Sequence, residues 1–65
     1  MLINQMKIPL VRDRVRVEGH DEVFVVVHVN ERSGWADLAC VERVGFLTQT
    51  PLRLIRPAEQ DHAGA

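Results

Sequence analysis

From Val11 onward, apolar and polar residues alternate with a period of two, the spacing at which successive side chains of a strand face opposite sides of a sheet. In Val11-Arg12-Asp13-Arg14-Val15-Arg16-Val17 the valines share one face and the arginines the other. Asp13 interrupts the apolar face, so the strand starts near Arg14. Glu18-Gly19-His20-Asp21 supplies a turn in which Gly19 can take positive φ. Glu22 to Asn30 is the strongest strand signal, because valine and phenylalanine pack well on a pleated surface and β-branched side chains lose rotamer freedom in a helix. Val23, Val25, Val27 and Val29 form one face and Phe24, Val26 and His28 the other. That second side is unusually apolar for one that faces solvent.

Glu31-Arg32-Ser33-Gly34 marks a hairpin turn, and Trp35 to Val41 reads as a third strand. A helix from Trp35 to Val44, capped by Ser33 and stopped by Gly45, is the competing reading. Glu42 to Gly45 then forms a turn and Phe46 to Thr50 a fourth strand, while Pro51 has no N–H with which to continue a central strand. Leu52, Leu54 and Ile55 fit one 3-10 turn followed by a short last strand ending at Pro57. Strands at intervals of ~8–12 residues with no long helix predict a mainly β fold, a small barrel or sandwich of about five strands. The expected domain covers residues 11–57, preceded by an N-terminal arm (1–10) and followed by a tail (58–65) that lacks large apolar residues.

Length limits what such a domain can do. A chain of 65 residues, 46% hydrophobic, buries only ~60% of the surface it exposes when unfolded. A ligand pocket of several hundred Å³ would have to come out of that core, so a non-catalytic role is expected, with self-association as the remedy for the missing burial. The longest apolar run, Val23 to Val27, is far short of a membrane span, and no secretory leader is visible. Cys40 is the single cysteine, which excludes an internal disulfide framework. The expectation is a cytoplasmic protein, and the compact length suggests a bacterial one. The net charge of −1 is unevenly spread: residues 1–16 carry +3, and residues 17–50 carry −4.

Three groups of residues are candidates for binding. Phe24, Val26 and His28 form either an apolar strip that joins copies or captures a protein partner, or a strand face covered by the N-terminal arm. Trp35, just after Gly34, is either a contact anchor or a lid on one end of the barrel. Arg12, Arg14 and Arg16 alternate along one strand with a spacing of ~6.6–6.8 Å, comparable to successive phosphates of a nucleic-acid strand. They bind nucleic acid or form a solvated face paired with Glu18, Glu22 or Glu42. His20, Asp21, His28 and Cys40 lack metal-ligand spacing, and no cofactor-binding glycine loop occurs, so neither a metal nor a cofactor is expected.

The pattern resembles the SH3-like barrel group, which includes Tudor and KOW-type modules. The resemblance rests on Asp13-Arg14-Val15-Arg16-Val17 leading into a valine strand, an acidic turn, an Ala/Leu strand, and the closing Thr50-Pro51-Leu52-Arg53-Leu54-Ile55-Arg56-Pro57. It implies an SH3-like barrel over roughly residues 11–57. Within that group the type B dihydrofolate reductases open with a similar Gly-Asp-Arg-Val-Arg stretch, here Arg12-Asp13-Arg14-Val15-Arg16, and build one active site in a tetrameric pore. Their Val-Gln-Ile-Tyr motif corresponds to Leu47-Thr48-Gln49-Thr50. The tyrosine is missing and the glutamine is displaced by one residue, which in a strand reverses its face. A Tudor-type aromatic cage would have to be built from Phe24, Trp35 and Phe46 alone.

Overall fold

The computed structural model describes residues 8–58; most of the expected arm and tail lies outside the described residues. The elements are β1 (Arg14–Val17), β2 (Val23–Asn30), β3 (Trp35–Cys40), β4 (Phe46–Pro51), a 3-10 turn (Leu52–Leu54) and β5 (Ile55–Pro57). All pairings are antiparallel, in one five-stranded sheet of order β4-β3-β2-β1-β5. The fold is mainly β, as expected. Trp35 to Cys40 is a strand rather than a helix because its backbone groups are paired on both sides, with β2 and with β4. Pro51 is tolerated as the last residue of β4 because that strand lies at the sheet edge.

One face of the sheet holds the core: Val15 and Val17 of β1, Phe24 and Val26 of β2, and Ala36 and Leu38 of β3 are buried together. Leu47, Leu52, Leu54 and Ile55 pack at its margin. The 3-10 turn is tied across this margin, with the Leu52 N–H donating to the Gly34 carbonyl at 3.0 Å and the Glu18 N–H to the Leu54 carbonyl at 2.9 Å.

This overturns the expected roles of the two sides of β2. Phe24 and Val26 line the chain's own core, and Val23, Val25 and Val27 lie outside it. Val29 nevertheless packs against the core. The reason is a change of phase: β2 inserts one extra residue between Val26 and His28 while β3 advances only from Leu38 to Asp37. On the other side of β3 the same thing happens, where β4 sets Thr48 and Gln49 against Asp37 alone. Two bulges therefore flank Asp37, and bulges bend and twist the strands that carry them. The Asp37 carboxylate accepts the Gln49 N–H at 2.8 Å, satisfying a donor that the ladder leaves out, at a residue whose φ of 51° lies in the left-handed region.

Candidate interaction surface

Phe24 is 3% and Val26 0% exposed, so neither can form a contact strip; the side chains that could do so lie on the opposite face. Directly paired residues of antiparallel strands project to the same side. Arg14 pairs with Val25, Val25 with Ala39 and Ala39 with Phe46, which defines one row across the outer face. Its end residue, Phe46, is 67% exposed. Val27 of β2 is exposed as well, and the β3–β4 connection carries the exposed Val41 and Val44. The Val41 N–H donates to the Val23 carbonyl at 3.1 Å and carries the β2–β3 register one step beyond the strand end.

His28 and Trp35 also belong to the outer face, through the pairs His28–Asp37 and Asn30–Trp35. Their rings lie 5.8 Å apart and tilted by 40°, and His28 Nδ1 is 3.9 Å from Asp37 Oδ2. Of the four residues expected to bind protein, the structure thus brings His28 and Trp35 together and separates both from Phe24 and Val26. Phe24 instead meets the His20 ring edge-on at 5.8 Å.

The arginines occupy the other margin of the outer face. Arg14 and Arg16 are exposed there, and Arg16 sits directly opposite Arg56 of β5. Arg12 leaves the alternation. Its φ is 84°, at the third position of a β-turn in which the Asp13 N–H donates to the Leu10 carbonyl at 3.0 Å and the Leu10 N–H to Asp13 Oδ2 at 2.9 Å. The Arg12 N–H and the Asp13 carbonyl both bond to Val26, so the turn runs into a bulge whose left-handed residue is ordinarily glycine. A side chain at that φ costs ~1–2 kcal/mol.

Among the described residues, none of the expected acidic partners, Glu18, Glu22 and Glu42, forms an ion pair with Arg12, Arg14 or Arg16. Glu18 lies 3.7 Å from Arg56, and Glu22 accepts two hydrogen bonds from the Arg43 guanidinium, the Nε one at 3.2 Å. That contact holds the Glu22 carboxyl below its ordinary value and raises Arg43 above its own. Arg16 donates to the Asp21 carbonyl at 3.0 Å.

Phe46, Val41, Val44 and Arg56 escaped the sequence reading as site residues. For Phe46 a signal was present in the phase of the pattern: once Ala36 and Leu38 face inward, Ala39 and its partner Phe46 must face outward. Gln49, the residue aligned with the reductase motif, is exposed at the β4 bulge. Among the described residues, no three His, Cys, Asp or Glu side chains are placed to hold a metal ion, and no helix is long and apolar enough to cross a membrane. Comparison of the chain with protein families, with curated proteins and with solved structures finds no match.

Proposed function

We propose that the protein is a non-catalytic interaction module of the SH3-like barrel group that self-associates, a second copy packing on the outer face of β2, β3 and β4. The observation that carries this reading is Phe46, 67% exposed at the end of a row it shares with Val25 and Ala39. The strand order and the 3-10 turn between β4 and β5 support the group assignment. A chain of this length gains burial most cheaply by pairing such faces.

Both sheet edges are guarded, which favours face packing over extension of the sheet. β4 carries a bulge and ends at Pro51, and β5 is three residues long and ends at Pro57. In a two-fold arrangement each Phe46 meets the apolar row of the other copy, and the arginines of β1 and β5 fall at the rim. A different protein partner would compete for the same face. The lone Cys40, partly buried among apolar neighbours, suits a reducing cytoplasm.

Sedimentation velocity across a wide concentration range tests the proposal. The wild-type chain should sediment as a concentration-dependent dimer or larger species, and Phe46→Asp as a monomer with an unchanged far-ultraviolet spectrum. A wild-type chain that stays monomeric throughout, or a variant that assembles as well as wild type, would overturn it.

A further inference from the structure

The arginine margin of the sheet is built at some cost to the fold, and the self-association reading does not use it. Arg16 and Arg56 stand directly opposite each other on β1 and β5, and like charges in that relation destabilise a strand pair. Arg14, two residues along, extends the same face. Arg12 precedes β1 at a turn position where glycine would sit without strain, and adds a third exposed arginine within five residues. Among the described residues, no carboxylate lies within ion-pairing distance of Arg12, Arg14 or Arg16, and Arg56 has only the exposed Glu18 at 3.7 Å. Arg16 is held in place by the Asp21 carbonyl rather than neutralised. A solvated face of no consequence would more simply alternate its charges, as residues 17–50 do with Glu22 and Arg43.

We propose that Arg12, Arg14, Arg16 and Arg56 form a binding site for the phosphate backbone of nucleic acid. Every cation of the group is a guanidinium, whose planar fork grips two phosphate oxygens at once. Along β1, Arg14 and Arg16 are ~6.6–6.8 Å apart, and β5 adds Arg56 one strand spacing, ~4.7–4.9 Å, away, so the charges form a short patch that a regularly charged polymer can cross. The contacts are to the backbone alone, so binding is insensitive to base sequence and steeply dependent on salt. The margin lies at the rim of the face assigned to self-association and does not include Phe46.

Fluorescence anisotropy with a labelled oligothymidylate and with a labelled DNA duplex at low salt, using the full chain, reads the site directly. Binding to both probes should weaken as salt rises, and with three to four phosphates engaged the logarithmic slope for the single strand is about −2 to −3. Arg14→Gln/Arg16→Gln should weaken binding at least tenfold while retaining the wild-type circular dichroism. Arg32→Glu, an equal change in net charge placed in the β2–β3 turn, should alter it less than twofold. Binding to neither probe at low salt, or equal loss from Arg32→Glu, overturns the proposal. Displacement of the oligonucleotide by polyglutamate as efficiently as by unlabelled oligonucleotide also overturns it, and assigns the margin to acidic protein segments.

Discussion

Phe24 and Phe46 are the chain's two phenylalanines, and they sit on the same sheet with one strand between them. One is 3% exposed and the other 67%. Residue type is therefore not what assigns a side chain to the core. Phe24 pairs with Val15 on one side and Cys40 on the other, both on the inward phase, whereas Phe46 pairs with the outward Ala39. The sheet has two apolar faces, and the core formed by the described residues covers only one of them.

Truncating the two rings should separate the faces most sharply. Phe24→Ala removes a fully packed ring and costs ~3–5 kcal/mol, about as much as a single core of this size supplies. Its urea unfolding should lose its cooperative transition. Phe46→Ala under the same conditions, at a concentration where the chain is monomeric, should shift stability by no more than ~0.5 kcal/mol. Equal losses from the two substitutions would erase the distinction between the faces.

The strain at Arg12 offers a smaller test from the outer margin. Arg12→Gly relieves a left-handed side chain but increases the freedom of the unfolded chain, for a net gain of about 0.5–1 kcal/mol in unfolding free energy, read as a higher urea midpoint. A loss of stability would mean that the arginine side chain, not the turn, holds the β1–β2 bulge together.

The weakest effect expected is at the Glu22–Arg43 contact, which joins the start of β2 to the β3–β4 connection bearing Val41 and Val44. The hydrogen bond from Arg43 lowers the Glu22 carboxyl in the folded chain. Its contribution is therefore present above the ordinary carboxylate value and disappears as pH falls through the lowered one. The stability difference between wild type and Glu22→Gln should be small at neutral pH, because the pair is exposed, and should vanish in acid. A difference that grows in acid would contradict the sign.

Much of the fold was legible in the chain. The start of β1 at Arg14, the 3-10 turn over Leu52 to Leu54 and the end of β5 at Pro57 follow from Asp13, from the leucine spacing and from proline chemistry. The face of β2 was not legible, because a strand with valine at positions 23, 25, 26, 27 and 29 looks apolar in either phase and hides the residue inserted after Val26. The matching insertion in β4 is tied to Asp37, a single charged residue in β3 whose role is visible only once Gln49 is placed against it. Arg14 and Arg16 could be read from their alternation, whereas the turn that takes Arg12 out of it could not. The cross-strand continuation at Arg56, forty residues away from Arg16 in the chain, needed the β1–β5 pairing.

The central claim is that copies of this chain meet through the outer face that ends in Phe46, while Phe24 stays within each core. Backbone and methyl chemical shifts followed by NMR as the protein is diluted test it most directly. Changes confined to Val25, Val27, Ala39, Val41 and Phe46, with Phe24 and Val26 unmoved, are the predicted result; concentration-independent spectra, or changes centred on β1 and β5, would contradict it.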